Sequence, residues 1–400
     1  MRWLLLLIAP SVAFGADFVA YDVSLRAEEQ ARVYSSGTAT TAGQTLLLMP
    51  SLSGSTHTAE TTLLLTYAPQ LLLGSIQGGD GAQFLHRGRG LLEFRARSNR
   101  RVTFVQQASY GRVDLLTLAT SAASATQPSL PGGPSLALQP LPTLRSLLYG
   151  SLDSEAGLEW GFDPRLKGTV TLTSFLAGGV GDSQQFLALQ RRLQASAGLA
   201  YSLDRVSTVS TMAMVNRTTF SSGQSAELAQ LTEHWQRHLD GVTELQLSGG
   251  GGIARRRLVP DGPATLLVLP VGEAGMKTRW KWDGTHLELE GRAALGPYVD
   301  WLSGIAYERA EGTVTTRWAD VGNRIEAAVR ARGAVSVLAG AQSGQVLGAL
   351  ELTCAKPLFK ELRVEAGTRY LLQRVPQFGN ALTSEWVTFI SLTLLERGIL

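Results

Sequence analysis

Cysteine is almost absent from this sequence: Cys354 stands alone in 400 residues. An intrachain disulfide is therefore impossible, and any metal site would have to do without a thiolate cluster. Histidine is scarce as well. Of five, only His234 and His238 lie close together, in HWQRH. They share a face, but the acidic residue that an H-E-x-x-H zinc motif carries between its histidines is missing. No G-x-S-x-G elbow supports a catalytic serine beside His234 or His286. SGGGGIARRRL (248–258) lacks the Gly-Lys-Ser/Thr ending of a phosphate loop. It reads instead as a strand end running into an exposed basic loop, with Arg255–Arg257 solvated or gripping anionic lipid headgroups. These absences argue against an enzyme, and the sequence calls for no cofactor and no metal.

Charge of one sign is also lacking. Lys and Arg number 36 against 33 Asp and Glu, a formal net charge of +3, which argues against a nucleic-acid partner. Charged residues make up 17% of the chain, below the roughly 25% of ordinary soluble domains. Yet no uninterrupted apolar helix replaces them. The uncharged stretch 61–79 is broken by Pro69 and Gln70, and 115–144 by Pro128, Pro131, Pro134, Pro140 and Pro142.

What the chain does have is alternation. In NRIEAAVRARGAVSVLA (323–339), Ile325, Ala327, Val329, Ala331, Val335 and Val337 point one way. Arg324, Glu326, Arg330, Arg332 and Ser336 point the other. A period of two is the signature of a strand with one apolar and one charged face. The pattern recurs in RGRGLLEFRAR (87–97), GMKTRWKWD (275–283), THLELEGRAALGPY (285–298), YERAEGTVTTRW (307–318) and KELRVEAGTRYLLQ (360–373). Short connections such as FDPRL, SLDRV and WDGTH interleave with longer ones. The Asp-Gly pairs 240–241 and 283–284 signal two-residue hairpins.

Counting weaker runs near 19–34 and 44–56 gives an all-β chain of about 18 strands, with 16 possible, and the long/short alternation stays in phase throughout. Soluble antiparallel sheets also alternate. Their strands are usually about five or six residues long, however, and these often reach twelve to eighteen. Trp282, Trp318, Tyr149, Tyr201 and Trp386 fall near strand ends, where interfacial girdles need them.

MRWLLLLIAPSVAFGAD has the basic start, short apolar core and small residues of a secretory signal over 1–15, leaving 16–400 as the mature chain. Together with the amphipathic strands and the last one, EWVTFISLTLL, this resembles a Gram-negative outer-membrane β-barrel, porin-like in type. The resemblance covers the mature chain and rests on no short motif. It implies an up-and-down transmembrane barrel, with outer-membrane lipids and the barrel-assembly machinery as partners. ERGIL follows the last strand where such barrels often end on an aromatic residue.

If the charged faces look inward, the pore is lined by Arg87, Arg89, Glu93, Arg95, Lys277, Arg279, Lys281, Glu288, Glu290 and Arg292. Farther along, Arg309, Glu311, Arg317, Arg324, Glu326, Arg330, Arg332, Glu361, Arg363, Glu365 and Arg369 continue the lining. Such a wall is mixed and mildly cationic; its charges either bias ion passage or pair across strands and stiffen the wall. The Pro-rich segment 118–144 is too long for an ordinary hairpin loop and is expected to fold into the lumen or over its mouth. The functional expectation is a passive channel for small hydrophilic solutes. The alternatives are an export conduit for polysaccharide or another polymer, working with periplasmic components, and a plugged structural barrel.

Overall fold

A computed structural model describes residues 19–36, 39–74, 82–97, 99–113, 147–185, 187–257, 262–299, 306–338, 346–374 and 382–399. The expected signal segment 1–15 and the Pro-rich segment 118–144 lie outside them. The first strands are β1 (Val19–Ser36), β2 (Ala39–His57), β3 (Thr61–Tyr67), β4 (Gln70–Gly74), β5 (Gln83–Arg97) and β6 (Arg100–Val113). Then come β7 (Leu147–Gly161), β8 (Leu166–Gly179), β9 (Gln190–Ser202), β10 (Ser207–Phe220), β11 (Ser225–His238) and β12 (Thr243–Arg257). The last are β13 (Thr265–Trp282), β14 (Thr285–Val299), β15 (Ala306–Asp320), β16 (Ile325–Leu338), β17 (Val346–Pro357), β18 (Leu362–Arg374) and β19 (Leu382–Ile399). A single 3-10 turn, Gly181–Gln185, is the helical element among the described residues.

β3 and β4 are two halves of one wall strand. Both pair with β2 on one side and β5 on the other. Pro69 has no N–H to give the ladder, so the strand breaks there, while Ala68 still donates to the Arg87 carbonyl at 2.9 Å. The wall therefore has eighteen antiparallel strands. β1 pairs with β19 from Ala20↔Ile399 to Ser36↔Thr383, which closes the sheet and leaves no open edge. Closure matters because lipid cannot satisfy an unpaired backbone edge.

The polarity is inside out. Large apolar side chains on the outer face stand exposed, with Val268 at 75% and Ile390 at 60%. Glu28, Gln30, Arg32 and Glu385 on the inner face are buried. A soluble fold would not leave so broad an apolar surface in water. Moving that exposed apolar area into lipid stabilises the fold by about 25 cal/mol for each Å² removed from water. Trp160, Trp235, Trp280, Trp282, Trp318, Tyr21 and Tyr201 face outward near the short-turn end, and Tyr370 and Trp386 near the other. These are the two aromatic belts of a spanning barrel. Tyr149 departs from the expectation: its register with Gly111 turns it into the lumen, where it is buried.

Most connections alternate as the sequence implies, apart from 37–38 and the four-residue 221–224 on the long side, and both described ends of the chain lie on the short-turn side. Asp283 and Gly284 have φ of 37° and 76°, as a tight type I′ hairpin requires. Asp240 and Gly241 instead sit inside a four-residue turn closed by Leu239 N–H donating to the Thr243 carbonyl at 2.8 Å. Three further differences concern boundaries. β1 and β2 are separated by 37–38 alone. β12 takes in all four glycines and Arg255–Arg257, so no basic loop begins at 255. β19 continues through Glu396–Ile399 rather than stopping before ERGIL.

Candidate functional site

The inner wall is set by strand parity. On β5, Arg87, Arg89, Glu93 and Arg95 alternate with outward Leu92 and Phe94. On β13, Lys277, Arg279 and Lys281 alternate with Met276, Trp280 and Trp282. Glu288, Glu290 and Arg292 of β14 face inward, as do Arg309, Glu311 and Arg317 of β15 and Glu326, Arg330 and Arg332 of β16. Arg363, Glu365 and Arg369 of β18 complete the set.

Two residues of the anticipated lining do not sit on the wall. Arg324 occupies the 321–324 turn with φ of 54°, and Glu361 belongs to the 358–361 turn. Alternation continues in the sequence past the strand ends, but the chain has already begun to reverse there.

Two sectors differ in kind. Around β13–β15, Glu288 meets Arg279 at 2.7 Å, Lys277 at 3.3 Å and Arg317 at 3.4 Å. Arg292 holds Glu273 through two nitrogens at 2.6 and 2.8 Å. The Arg279 and Arg317 side chains remain 59% and 49% exposed, so this sector is hydrated.

Across β16–β19 and β1 a network of charges is enclosed, although the Arg363–Glu326 pair beside it, at 2.8 Å, stays exposed. Glu28, 1% exposed, accepts from Arg26 at 2.7 Å, Arg369 at 3.1 Å and Gln30 at 2.6 Å. Arg369 also reaches Glu351 at 3.1 Å and lies 4.0 Å over the Phe389 ring, and Arg330 approaches Glu351 at 3.6 Å. Arg32 donates to Gln30 at 2.8 Å and pairs with Glu385 at 3.5 Å. This network runs across the seam between first and last strands.

Sequence reasoning missed the β1 half of the network, although Arg26, Glu28, Gln30 and Arg32 follow the same period. Glu29 hid it. It lies between Leu46 and Ile390 on the lipid face, exposed, and blurs the alternation. A second surprise is an apolar collar inside the long-connection end. Leu72, Leu85 and Leu147 face inward near the ends of their strands and are buried, with Leu47 beside Leu72 at the middle of β2, and Met214, Leu228 and Leu269 form a separate packed cluster on β10–β13. No group of three or more His, Cys, Asp or Glu among the described residues is arranged to hold a metal ion.

The fold is similar to that of Pseudomonas aeruginosa OccK2 (OpdF), with a TM-score of 0.50 at 14% identity, over 94% of this chain and 98% of that one. The outer membrane protein OpdK of the same organism aligns at 10% identity and TM-score 0.47, over 94% and 99% of the two chains. P. aeruginosa OccK3 (OpdO) aligns at 13% identity and TM-score 0.44, over 93% and 96%. A comparison with curated protein sequences finds no match. One family comparison spans nearly the whole chain, residues 6–400, and on it the chain belongs to the EpsX exopolysaccharide export family.

Proposed function

We propose that this barrel is an outer-membrane conduit through which an exopolysaccharide leaves the cell. Membership of an export family over residues 6–400 carries the reading. The wall supports it: eighteen strands leave an aqueous interior, and β8–β11 line it with Thr171, Thr173, Gln194, Asn216 and Gln230, side chains able to exchange hydrogen bonds with sugar hydroxyls. Periplasmic export components would meet the short-turn end, the inner side in barrels of this type.

The test is deletion of the gene in the source bacterium, with polysaccharide measured on the cell surface and in the periplasm. Loss from the surface with retention inside is expected, restored by the full chain. Unchanged surface polysaccharide would overturn export.

A passive pore for small hydrophilic solutes remains the second reading, favoured by the hydrated, mixed-charge sector of β13–β15. The apolar collar lies at the end from which 118–144 departs, and we place a constriction there. Single-channel currents in a planar bilayer, with and without residues 120–142, separate the readings. Steady currents in the intact chain support the pore. Large currents only after deletion support a closed conduit, and silence in both leaves a structural barrel.

A further inference from the structure

The lipid-facing wall carries a furrow of about 840 Å³ across β6–β12, within the roughly 300–1,000 Å³ of small-molecule sites. Its floor follows from one row of paired residues. Ala156, Leu172, Ala195, Val215, Ala229 and Ile253 are neighbours on successive strands, all pointing outward. Small side chains on β7, β9 and β11 alternate with branched ones on β8, β10 and β12, which leaves channels between ridges.

The next row up runs Ser174, Leu193, Arg217, Glu227, Arg255. Here the outer face turns from apolar to charged. Glu227 stands between two guanidinium groups, 3.7 Å from Arg217 and 3.7 Å from Arg255, and all three side chains are largely exposed. One row farther, Arg191 faces outward beside Thr219. Two cations therefore share one carboxylate, and a third, Arg191, stands on the same rim.

Height along the barrel completes the picture. Arg217 is three residues from the end of β10 and Arg255 two from the end of β12, both at the long-connection end. Ser154 and Ala156, at the other limit of the furrow, lie midway along β7. The charged end thus sits at headgroup level and the apolar end descends to mid-membrane. A cation on the lipid face is least costly near the interface, and Arg presents a fork that matches phosphate.

We propose that this furrow binds a phosphorylated lipid of the outer leaflet. The phosphate sits between Arg217 and Arg255, displacing their long contacts to Glu227, and an acyl chain lies over Ala195 in the channel between the Leu172 and Val215 ridges. The site is on the membrane side of the wall and is independent of what passes through the lumen.

The test is native mass spectrometry of the full barrel released from detergent, with bisphosphorylated lipid A and its phosphate-free counterpart as probes. The intact protein is expected to retain one lipid A and to bind the phosphate-free form about tenfold more weakly, the loss of one charge-assisted contact or more. R217Q with R255Q weakens lipid A binding by a similar factor. E227Q moves it the other way, tightening it severalfold. A195F, which fills the furrow, weakens both probes. Heat-modifiable migration verifies that each variant is closed. Equal retention of the two lipids by the intact protein overturns the proposal without recourse to any variant, as does weaker binding by E227Q.

Discussion

Glu28 and Glu288 each gather several cations on the same inner wall, yet they hold different kinds of site. Glu288 draws on Lys277, Arg279 and Arg317, whose charged ends remain in water. Glu28 is served by Arg26, Arg369 and Gln30 and is itself enclosed. Hydrated pairs gain little, because solvent screens them and two long side chains lose freedom. An enclosed carboxylate must keep its partners, since losing one strands a charge. The hydrated sector is open to water and ions, and the enclosed one holds the wall together. Identical residue types serve both, and only surroundings separate them.

The largest test of that contrast is Arg369→Leu. Removing this hub between Glu28 and Glu351 should cost about 3–5 kcal/mol, read as a lower urea midpoint for loss of the compact electrophoretic form. Arg279→Ala in the open sector should cost about 0–1 kcal/mol by the same measurement. Equal losses would erase the distinction between sectors.

Next in size comes selectivity. Glu288→Gln takes a negative charge from a hydrated sector and leaves Lys277, Arg279 and Arg317 behind, so the reversal potential under a salt gradient should move toward anions. The shift should shrink as ionic strength rises. Glu28→Gln, enclosed within the seam, should leave that potential where it was.

The smallest effect belongs to the turns, outside both sectors. The Val206 and Ser207 N–H groups donate to Asp204 at 2.7 Å each, and Thr243 and Val242 donate to Asp240 at 2.7 and 3.2 Å. These bonds, led by Val206 for Asp204 and by Thr243 for Asp240, hold both carboxyls below the usual carboxylate range. Their contribution is therefore full above that range and is lost as pH falls through the lowered values. A pH series of urea midpoints should show a slight acid-side loss that Asp204→Ala with Asp240→Ala flattens.

Much of the architecture was readable because lipid imposes a simple rule on each strand. Over most of β5 and β13–β16 the period holds, and the charged residues expected on their inner face fall where parity puts them, despite register shifts at Arg95/Arg97 and Glu308/Arg309. Legibility failed where one position broke the period or where a side chain answered to a neighbouring strand. Glu29 masked β1, four glycines disguised the middle of β12, and Tyr149 was placed by Gly111 across the ladder rather than by its own sequence. The collar of inward leucines could not be read at all. An apolar residue at an inner position looks like a strand read in the wrong phase until the register is known.

The network at the seam bears on how such a barrel assembles. β1 and β19 stand at opposite ends of the chain, so their pairing is the most remote contact in the molecule and meets the greatest loop-closure entropy. Until they meet, Arg26, Glu28, Gln30 and Arg32 answer one another along β1 alone. The pairs Glu28–Arg369, Arg26–Glu365 and Arg32–Glu385 form only at the last step. The seam is thus a latch whose electrostatic catch engages on closure and opposes unzipping.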